Sequence, residues 1–494
     1  MNCFPSEIVE QFKKWKVLVI GDLILDHYVQ GETQRLCPEG PVPVVEVMQR
    51  QYALGGSANV ALNFSCLSAQ VTFCSVAGAD PEAATAIKML EDQQIQVKVF
   101  KDPGRRTLLK TRLVAGRQLL ARFDSGTAAP VSPETAGWLQ SVLMQEIPRH
   151  DAIIISDYDK GTLTAEIITL IKQLKPAYPR YIAVDSKRLE WFRELEPAFA
   201  KPNYGEALQL LKEPFKSEGR MEQVPALGRP LHALTNARIL ALTADKDGAF
   251  VFNKGTLIGH CPPYQREQVN VVGAGDVFFS AFALAHLSGA PELQALDIAS
   301  AAAAVGMAQS GRTCCCTTAE LAAFFSRQTK ELSTQEQVRS LVACYRSMGN
   351  RIVFTNGCFD ILHRGHISYL SQARALGDVL IVGINFDESV RRLKGVHRPV
   401  NPLADRKAVL AALECVTHIV PFGSAGDDTA RELIDWIEPD IYVKGGDYSL
   451  EKLPEASLVE ARGGRVQILP LMPGRSTSGM LHKINPSLAL KTGS

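Results

Sequence analysis

Two histidines, His363 and His366, lie three residues apart in the stretch TNGCFDILHRGHISYL (355–370), with Gly365 between them. Imidazoles so spaced can ligate a metal, fill a core or donate hydrogen bonds to an anion. A zinc site needs more ligands than a pair of rings. Cys358 is near, yet no fourth partner stands at ligand spacing. A buried pair fits poorly beside Arg364 and Gly365, which make a polar, close-packed turn. The third reading takes VFTNGCFDILH as a strand and loop, and RGHISYLSQARALG as the helix it enters. Both rings then sit at a helix N-terminus, where anions collect, and Gly365 lets a phosphate approach the backbone. A nucleophile that is already anionic at neutral pH, such as a phosphate, needs no general base. Such a site has to align two anions and stabilise charge in the transition state, work suited to imidazole, lysine, arginine and backbone amides.

A second candidate lies at NVVGAGDVFFSAFALAHL (270–287). Gly273, Ala274 and Gly275 open a long apolar helix, so their amides can face an anion. Asp276 in the first turn can take the proton of a hydroxyl as a phosphoryl group moves onto it. The alternative is a glycine-rich turn capped by an aspartate. Neither GxxxxGK[ST] nor GxGxxG occurs in the chain, so this is not a Walker loop or a dinucleotide fingerprint. Companions strengthen the first reading. VLVIGDLILDHY places Asp22 and Asp26 at a strand end, and LGGSANVALNF places Gly55, Gly56 and Asn59 at a turn entering a helix. KPNYGEA offers Asn203 and Glu206 after a strand-like run, an amide and a carboxylate suited to hydrated magnesium near phosphates.

The elements that must position these groups alternate. KVLVIGD (16–22), AIIISD (152–157), YIAVD (181–185) and ILALTA (239–244) read as buried strands, separated by amphipathic stretches such as 132–148 and 164–175. That alternation predicts a largely parallel sheet covered on both faces. PVPVVEVMQ (41–49) and TLLKTRLVAGRQLLARFD (107–124) read as strands without helices between them, a small separate sheet that could act as a lid. A polar helix-forming stretch at 326–349 precedes a second series of strands at 351–357, 378–385, 417–422, 440–447 and 465–471. The expected organisation is a domain at 1–328, a linker helix at 329–349 and a second domain at 350–494.

With these motifs in hand, residues 15–325 resemble sugar kinases of the ribokinase (PfkB) family, which pair an N-terminal GG motif with a C-terminal GAGD motif. The resemblance implies that Asp276 is the catalytic base and that Gly273, Ala274 and Gly275 form the anion hole. It places Asn203 and Glu206 on the Mg–ATP side, and Asp22, Asp26, Gly55, Gly56 and Asn59 against the sugar. Arg35, Lys110 and Arg112 are candidates for binding a phosphate on that sugar. The family commonly has aspartate and threonine where this chain has Asn270 and Val272, so dependence on K⁺ is expected to be weak. Residues 350–485 resemble the nucleotidylyltransferase superfamily through HxGH and TNGCFD. By that resemblance Thr355, Gly357, Phe359, Asp360 and Gly365 bind nucleotide. So do Lys394 in RRLKGVHRPVNP, Arg398, Arg406, Lys444 in YVKGGDY, and Ser476, Thr477 and Ser478 in GRSTSGML.

The implied fold class is α/β, two tandem three-layer domains: a ribokinase-like unit with a small β lid, then a Rossmann-like nucleotidylyltransferase unit. Together with PEGPVPVVEV and SDYDKGTL, the motifs resemble bacterial bifunctional heptose 7-phosphate kinase/heptose 1-phosphate adenylyltransferases of lipopolysaccharide synthesis. The segment AQSGRTCCCTT departs from that family's loop near the adenine. Mg²⁺ is expected with ATP rather than in a dedicated protein site. Two alternatives stay open: another sugar or polyol phosphate with CTP as donor, or a sugar-phosphate sensor with an inactive first domain.

Composition sets the outer bounds. A chain of 494 residues exceeds one core. A formal net charge of +1 gives no bulk field for nucleic acid or an anionic membrane, and no apolar run approaches the ~20 residues of a membrane span. Eleven cysteines without paired spacing suit reduced thiols in a cytoplasm, and the triplet Cys314-Cys315-Cys316 reads as structural. The expected partners are ATP, heptose phosphates and a second copy of the chain through the lid.

Overall fold

The computed structural model describes residues 5–116, 118–215, 219–264, 271–308, 314–328, 330–347, 349–423, 427–446 and 453–470. The chain divides into two compact units, Met1–Ala322 and Ala323–Ser494. Among the described residues no helix is long and apolar enough to cross a membrane.

The first unit is built on a nine-stranded sheet. In chain order its strands are β1 (Lys16–Gly21), β4 (Gln70–Gly78), β5 (Gln96–Asp102), β8 (Ala152–Asp157), β9 (Tyr181–Ser186), β10 (Phe199–Ala200), β11 (Ile239–Thr243), β12 (Ala249–Asn253) and β13 (Thr256–Cys261). Their spatial order is β13-β12-β11-β10-β9-β8-β1-β4-β5. All neighbours from β5 to β11 are parallel, and β12 and β13 add an antiparallel edge. The strands read as continuous apolar runs because helices cover both faces. One face packs Leu18, Ile20, Ile153, Ile155, Val184 and Leu240 against Leu139, Leu143, Ile167, Ile171 and Leu208 of the surrounding helices.

The chain winds outward in both directions from β1 and β8, which makes their junction the topological switch point, where clefts open at the strand ends. The pair Gly21↔Ser156 fixes the register there. A Cβ at Gly21 would stand 1.9 Å from the Ser156 carbonyl oxygen, so only glycine permits that approach. The strands then release Asp22 and Tyr158 side by side into the cleft.

A four-stranded sheet, β3-β2-β6-β7, stands apart from the nine-stranded one. It comprises β2 (Leu23–Leu36), β3 (Pro43–Gly56), β6 (Leu108–Ala115) and β7 (Gln118–Ser125). The separate sheet expected from 41–49 and 107–124 is therefore present and larger than the sequence suggested. LILDHYVQGETQRL is a full strand of it, which puts Asp26 within β2 and not at a strand end. The inner ends of β2 and β3 are buried and their outer ends exposed.

The second unit has a five-stranded sheet of β14 (Ile352–Gly357), β15 (Val379–Asn385), β16 (His418–Phe422), β17 (Ile441–Gly445) and β18 (Arg465–Leu469). Its order is β16-β15-β14-β17-β18, every pair parallel. The switch point falls between β14 and β17, so a ligand cleft is expected where TNGCFD leaves the sheet. The stretch 329–349, expected as a linker, is instead part of this unit. In the helix Gln335–Ser347, Val338, Leu341, Val342 and Tyr345 recur at one-face spacing and pack against Ile352, Phe354 and Ile381. Tyr345 Oη also meets buried His418 Nε2 at 2.8 Å. A stripe of four residues is enough to seat a helix whose other faces are polar.

Candidate active sites

In the first unit the helix Ala274–Leu287 begins with Gly273 in left-handed conformation, φ 86°. This aims the first turn back at the switch point. Asp276 is held from two sides: Asn59 Nδ2 donates to its Oδ2 at 2.6 Å and Tyr158 Oη donates to its Oδ1 at 3.1 Å. Burial raises the Asp276 pKa above the ordinary carboxylate value, while Asn59, Lys201 and Tyr158 restrain the rise. Burial and the neighbouring Asp276 charge push the Tyr158 phenol well up, so it stays protonated and donates. Of the amides expected to form an anion hole, that of Ala274 already donates to the Val271 carbonyl at 3.3 Å. Asn270 lies outside the described residues.

Lys201, which sequence reading passed over, is a central cation of this cleft. It is 5% exposed, its Nζ is 3.3 Å from Asp185 Oδ2, and that Nζ lies 3.7 Å from where a Cβ on Gly275 would be. Burial works against its charge, but Asp185, Glu206 and Asp276 outweigh burial and hold its pKa above the ordinary lysine value. The Asp185 carboxyl is pushed up to about 7 by burial and by Glu206 and Asp276, with Lys201 opposing. The signal was available in KPN, a lysine at the end of a buried strand.

Several expected roles change. Asn203 and Glu206 form a reciprocal cap on the helix Tyr204–Leu211: Asn203 Oδ1 accepts from the Glu206 amide at 2.8 Å, and Glu206 Oε2 accepts from the Asn203 amide at 2.9 Å. Oε1 of Glu206 and the side-chain Nδ2 of Asn203 lie outside that pair of bonds. Asp22, expected against a sugar, accepts from the backbone amides of Tyr158, Lys160 and Thr162 at 2.9, 3.1 and 3.1 Å. Its buried carboxylate ties down the loop that carries Tyr158, because three amides arriving at one point need an acceptor. Arg112, expected on a phosphate, is paired with Asp26 at 2.5 Å and lies over the Tyr28 ring. Gly55 allows that arrangement, since a Cβ there would meet Asp26 Oδ2 at 2.4 Å. Gly56, with φ 57°, caps the helix Ser57–Cys66 that carries Asn59. Lys110 does reach the cleft, its Nζ 5.7 Å from the Tyr158 ring centroid. Arg35 does not: it is exposed near the outer end of β2, nine residues from Asp26, which is roughly 30 Å of extended chain.

In the second unit His363 caps the helix Arg364–Arg374, its Nδ1 accepting from the Gly365 amide at 3.1 Å. That bond leaves the ring proton on Nε2, as a donor. The His363 and His366 centroids are 4.0 Å apart, and Phe359 presents its ring to His366 at 5.7 Å. Burial and His363 lower the His366 pKa to about 4, so the ring is neutral at pH 7. Among the described residues its Nδ1 is buried without a hydrogen-bond partner, a donor or acceptor kept for something else.

Five residues expected to bind nucleotide instead build the scaffold around this pair. Thr355 Oγ1 pairs with Tyr369 Oη at 2.6 Å, and Tyr369 in turn donates to the Val443 carbonyl. Phe359 sits in the core, with Gly357 against its ring. Asp360 is ion-paired to Arg398 and accepts from the amides of Val400 and Asn401 at 2.8 and 3.0 Å, fixing the 398–401 turn. Arg406 is 2% exposed and spends its guanidinium on the carbonyls of Cys358, Asn385 and Asn401 and on Asp387. A guanidinium with that many protein acceptors has little left for a phosphate. Burial raises the Cys358 thiol pKa while the charges of Lys394, Arg406 and Arg398 oppose the rise, and burial lowers the Lys444 pKa. Ser476, Thr477 and Ser478 lie outside the described residues. Among the described residues no cluster of three or more metal-type ligands occurs.

Each unit thus sets a helix N-terminus, cations and either a carboxylate or an imidazole pair at the switch point of a parallel sheet. That is the class of enzyme that moves phosphoryl or nucleotidyl groups, here present twice in one chain. Residues 14–320 match the pfkB family carbohydrate kinase model and residues 354–467 the cytidylyltransferase-like model. The chain is 36% identical to the bifunctional protein HldE of Trichlorobacter lovleyi, over 95% of each chain. It is 35% identical to that of Helicobacter pylori, over 95% of this chain and 98% of the other. It belongs to the family of bifunctional HldE proteins. The crystal structure of phosphofructokinase-2 from Escherichia coli in complex with potassium shares the fold of the first unit, with a TM-score of 0.52 and 18% identity over 63% of this chain and all of the other.

Proposed function

We infer that the chain carries out two consecutive transfers on one sugar. The first unit phosphorylates C1 of D-glycero-β-D-manno-heptose 7-phosphate from ATP. The second, once a phosphatase has removed the 7-phosphate, transfers AMP from ATP to the 1-phosphate and releases pyrophosphate, giving ADP-heptose. The observation that carries this reading is the occurrence, in one chain alignable with HldE proteins over 95% of its length, of two switch-point sites with complementary chemistry.

In the first site Asp276 is placed to accept the C1 hydroxyl proton while the oxygen attacks the γ-phosphorus. A raised carboxylate pKa makes it a better base than an exposed aspartate. Asn59 and Tyr158 orient it, and the buried Asn59 Oδ1, without a partner among the described residues, suits a sugar hydroxyl. Lys201 and the amides of Gly273 and Gly275 face the charge that develops on the transferred group. Lys110 replaces Arg35 and Arg112 as the cation for the sugar side. The residues also suit ATP carried as its Mg²⁺ complex. Glu206 and Asp276 raise the Asp185 pKa, and all three carboxylates favour the charge of the Lys201 ammonium; Asp185 with the second oxygen of Glu206 would hold the hydrated ion, which neutralises phosphate charge. Monovalent-cation dependence is expected to be weak.

In the second site the sugar 1-phosphate needs no base. His363 donates through Nε2 and His366 adds a neutral ring beside it at the α-phosphate, while Lys394, Arg398 and Lys444 balance the two anions. The exposed Leu36, Val42, Met48, Leu119 and Phe123 of the lid support a homodimer formed through that sheet, and the enzyme is placed in the bacterial cytoplasm with its soluble substrates. Turnover of the full chain with ATP, CTP or GTP and heptose 1-phosphate tests the donor. ATP preference is expected, and CTP preference overturns the assignment.

A further inference from the structure

An arginine that neither reaction uses grips both chain neighbours of Tyr158. β8 ends in Asp157, Tyr158 follows, and Asp159 then takes the left-handed conformation, φ 57°. Asp157 is 3% exposed. Its carboxylate accepts from Arg188 Nε at 3.2 Å and from Arg188 Nη2 at 3.1 Å on each oxygen. The third arm of the same guanidinium, Nη1, lies 2.9 Å from Asp159 Oδ1. Asp157 also accepts from the Ser186 hydroxyl at 2.7 Å and from the Asp159 amide at 3.0 Å. Arg188 is itself fixed. Its amide donates to Ser186 Oγ at 2.9 Å, and its guanidinium lies over the Trp191 ring, 3.9 Å from the centroid. The ends of β8 and β9 are thus tied by one planar fork. Between the two gripped carboxylates, Tyr158 sends its hydroxyl to Asp276 Oδ1 at 3.1 Å, and its amide donates to Asp22 at 2.9 Å.

We propose that Arg188 is a positioning residue for phosphoryl transfer: its hold on Asp157 and Asp159 sets the direction in which Tyr158 meets Asp276. The role rests on the phosphoryl-transfer reading above. A non-glycine residue with left-handed φ persists where its surroundings over-determine it, and the bonds from Asp157 and Arg188 do so for Asp159. Removing the guanidinium leaves a buried carboxylate without its cation, which the chain relieves by moving or protonating it. Either change releases the residue on each side of Tyr158. The Tyr158 bond is one of the interactions that restrain the Asp276 pKa, so a displaced hydroxyl leaves a carboxyl that is harder to ionise. The other titratable groups around the Tyr158–Asp276 pair are Lys201, Lys110, Asp185, Glu206 and Cys314, whereas the Arg188 fork ends on Asp157 and Asp159. A displacement of ~1 Å near a reacting centre can cost on the order of 10²-fold in rate.

The test compares full-length wild type with Arg188→Ala, Arg188→Lys, Tyr158→Phe and the double variant Arg188→Ala with Tyr158→Phe. It reads kcat and KM of phosphoryl transfer against pH, adenylyl transfer by the second unit, thermal unfolding, and the crystal structure of each Arg188 variant. Arg188→Ala is expected to lower kcat about tenfold or more, with a smaller change in KM and adenylyl transfer intact. It should also move the acid limb of kcat to higher pH, the direction expected of Tyr158→Phe. Arg188→Lys, which keeps the charge and loses the fork, should fall between wild type and the alanine variant. In the Tyr158→Phe background, Arg188→Ala should cost far less than it does alone. An unmoved acid limb, or a full additional loss in the double variant, overturns the role, because support that bypasses Tyr158 would act without it. If Arg188→Ala fails to fold, Arg188→Lys carries the same comparisons. A wild-type protein that transfers adenylyl but not phosphoryl groups would count against the functional reading. The crystals then decide the role of Arg188: Tyr158 Oη is expected to leave hydrogen-bonding distance of Asp276, and a bond kept at its wild-type length overturns it.

Discussion

Lys201 shows how much one buried ammonium decides in the first site. It faces Asp185 and the start of the GAGD helix, so Lys201→Met removes a preorganised charge where charge develops. Phosphoryl transfer is expected to fall by about 10²–10³-fold, in line with loss of one electrostatic donor, with adenylyl transfer unaffected; the two rates measured on one preparation check it. His366 supports a second prediction. Its folded-state pKa of about 4 lies below the ordinary value of 6.5, so between those values the unfolded chain binds more protons than the folded one. The stability contributed by the neutral ring is therefore complete above pH 6.5 and is lost as pH falls through that window. Denaturant unfolding of wild type and His366→Asn from pH 7 to pH 4 should show the smaller loss in the variant; equal losses would count against a buried neutral ring.

At the scale of elements, much of the arrangement was legible in the sequence, and the exceptions are instructive. Continuous apolar runs such as AIIISD announce parallel strands because both faces are covered. HxGH announces a helix start through its histidine cap, and GAGD through a glycine in the left-handed conformation. What stayed hidden were roles set by tertiary neighbours. Asp22 looks like a ligand until three amides of the 158–162 loop are seen to end on it. Arg406 looks like a phosphate binder until its protein acceptors are counted, and Tyr158 looks like a loop residue until β8 delivers it to Asp276. The Asn203–Glu206 pair reads in the sequence as a place for hydrated magnesium and not as a capping box, although N-x-x-E is a cap spacing. Asn203→Ala should destabilise the first unit by about 1 kcal/mol and raise the KM for ATP by loosening Glu206. Thermal unfolding combined with initial rates tests this, and unchanged values of both would contradict it.

At the scale of the whole molecule, two units of similar logic differ in what they need from their residues. On the proposed function, the kinase unit must create a nucleophile and has a raised carboxylate for it; the transferase unit receives an ionised nucleophile and has an imidazole pair and cations. The lid adds an apolar outer surface that the isolated chain leaves exposed. Met48→Asp with Phe123→Asp should convert a dimer to a monomer by light scattering, and a dimer that survives both changes would place the interface elsewhere.

The division of labour between the units is tested most directly by mass spectrometry of the products formed from ATP, heptose 7-phosphate and a phosphatase by three full-length proteins. Wild type is predicted to yield ADP-heptose. Asp276→Asn should leave heptose 7-phosphate unphosphorylated at C1 yet still convert supplied heptose 1-phosphate, and His363→Ala should accumulate heptose 1-phosphate. If either substitution abolished both steps, or if both variants made ADP-heptose at the wild-type rate, the assignment of one transfer to each site would be contradicted.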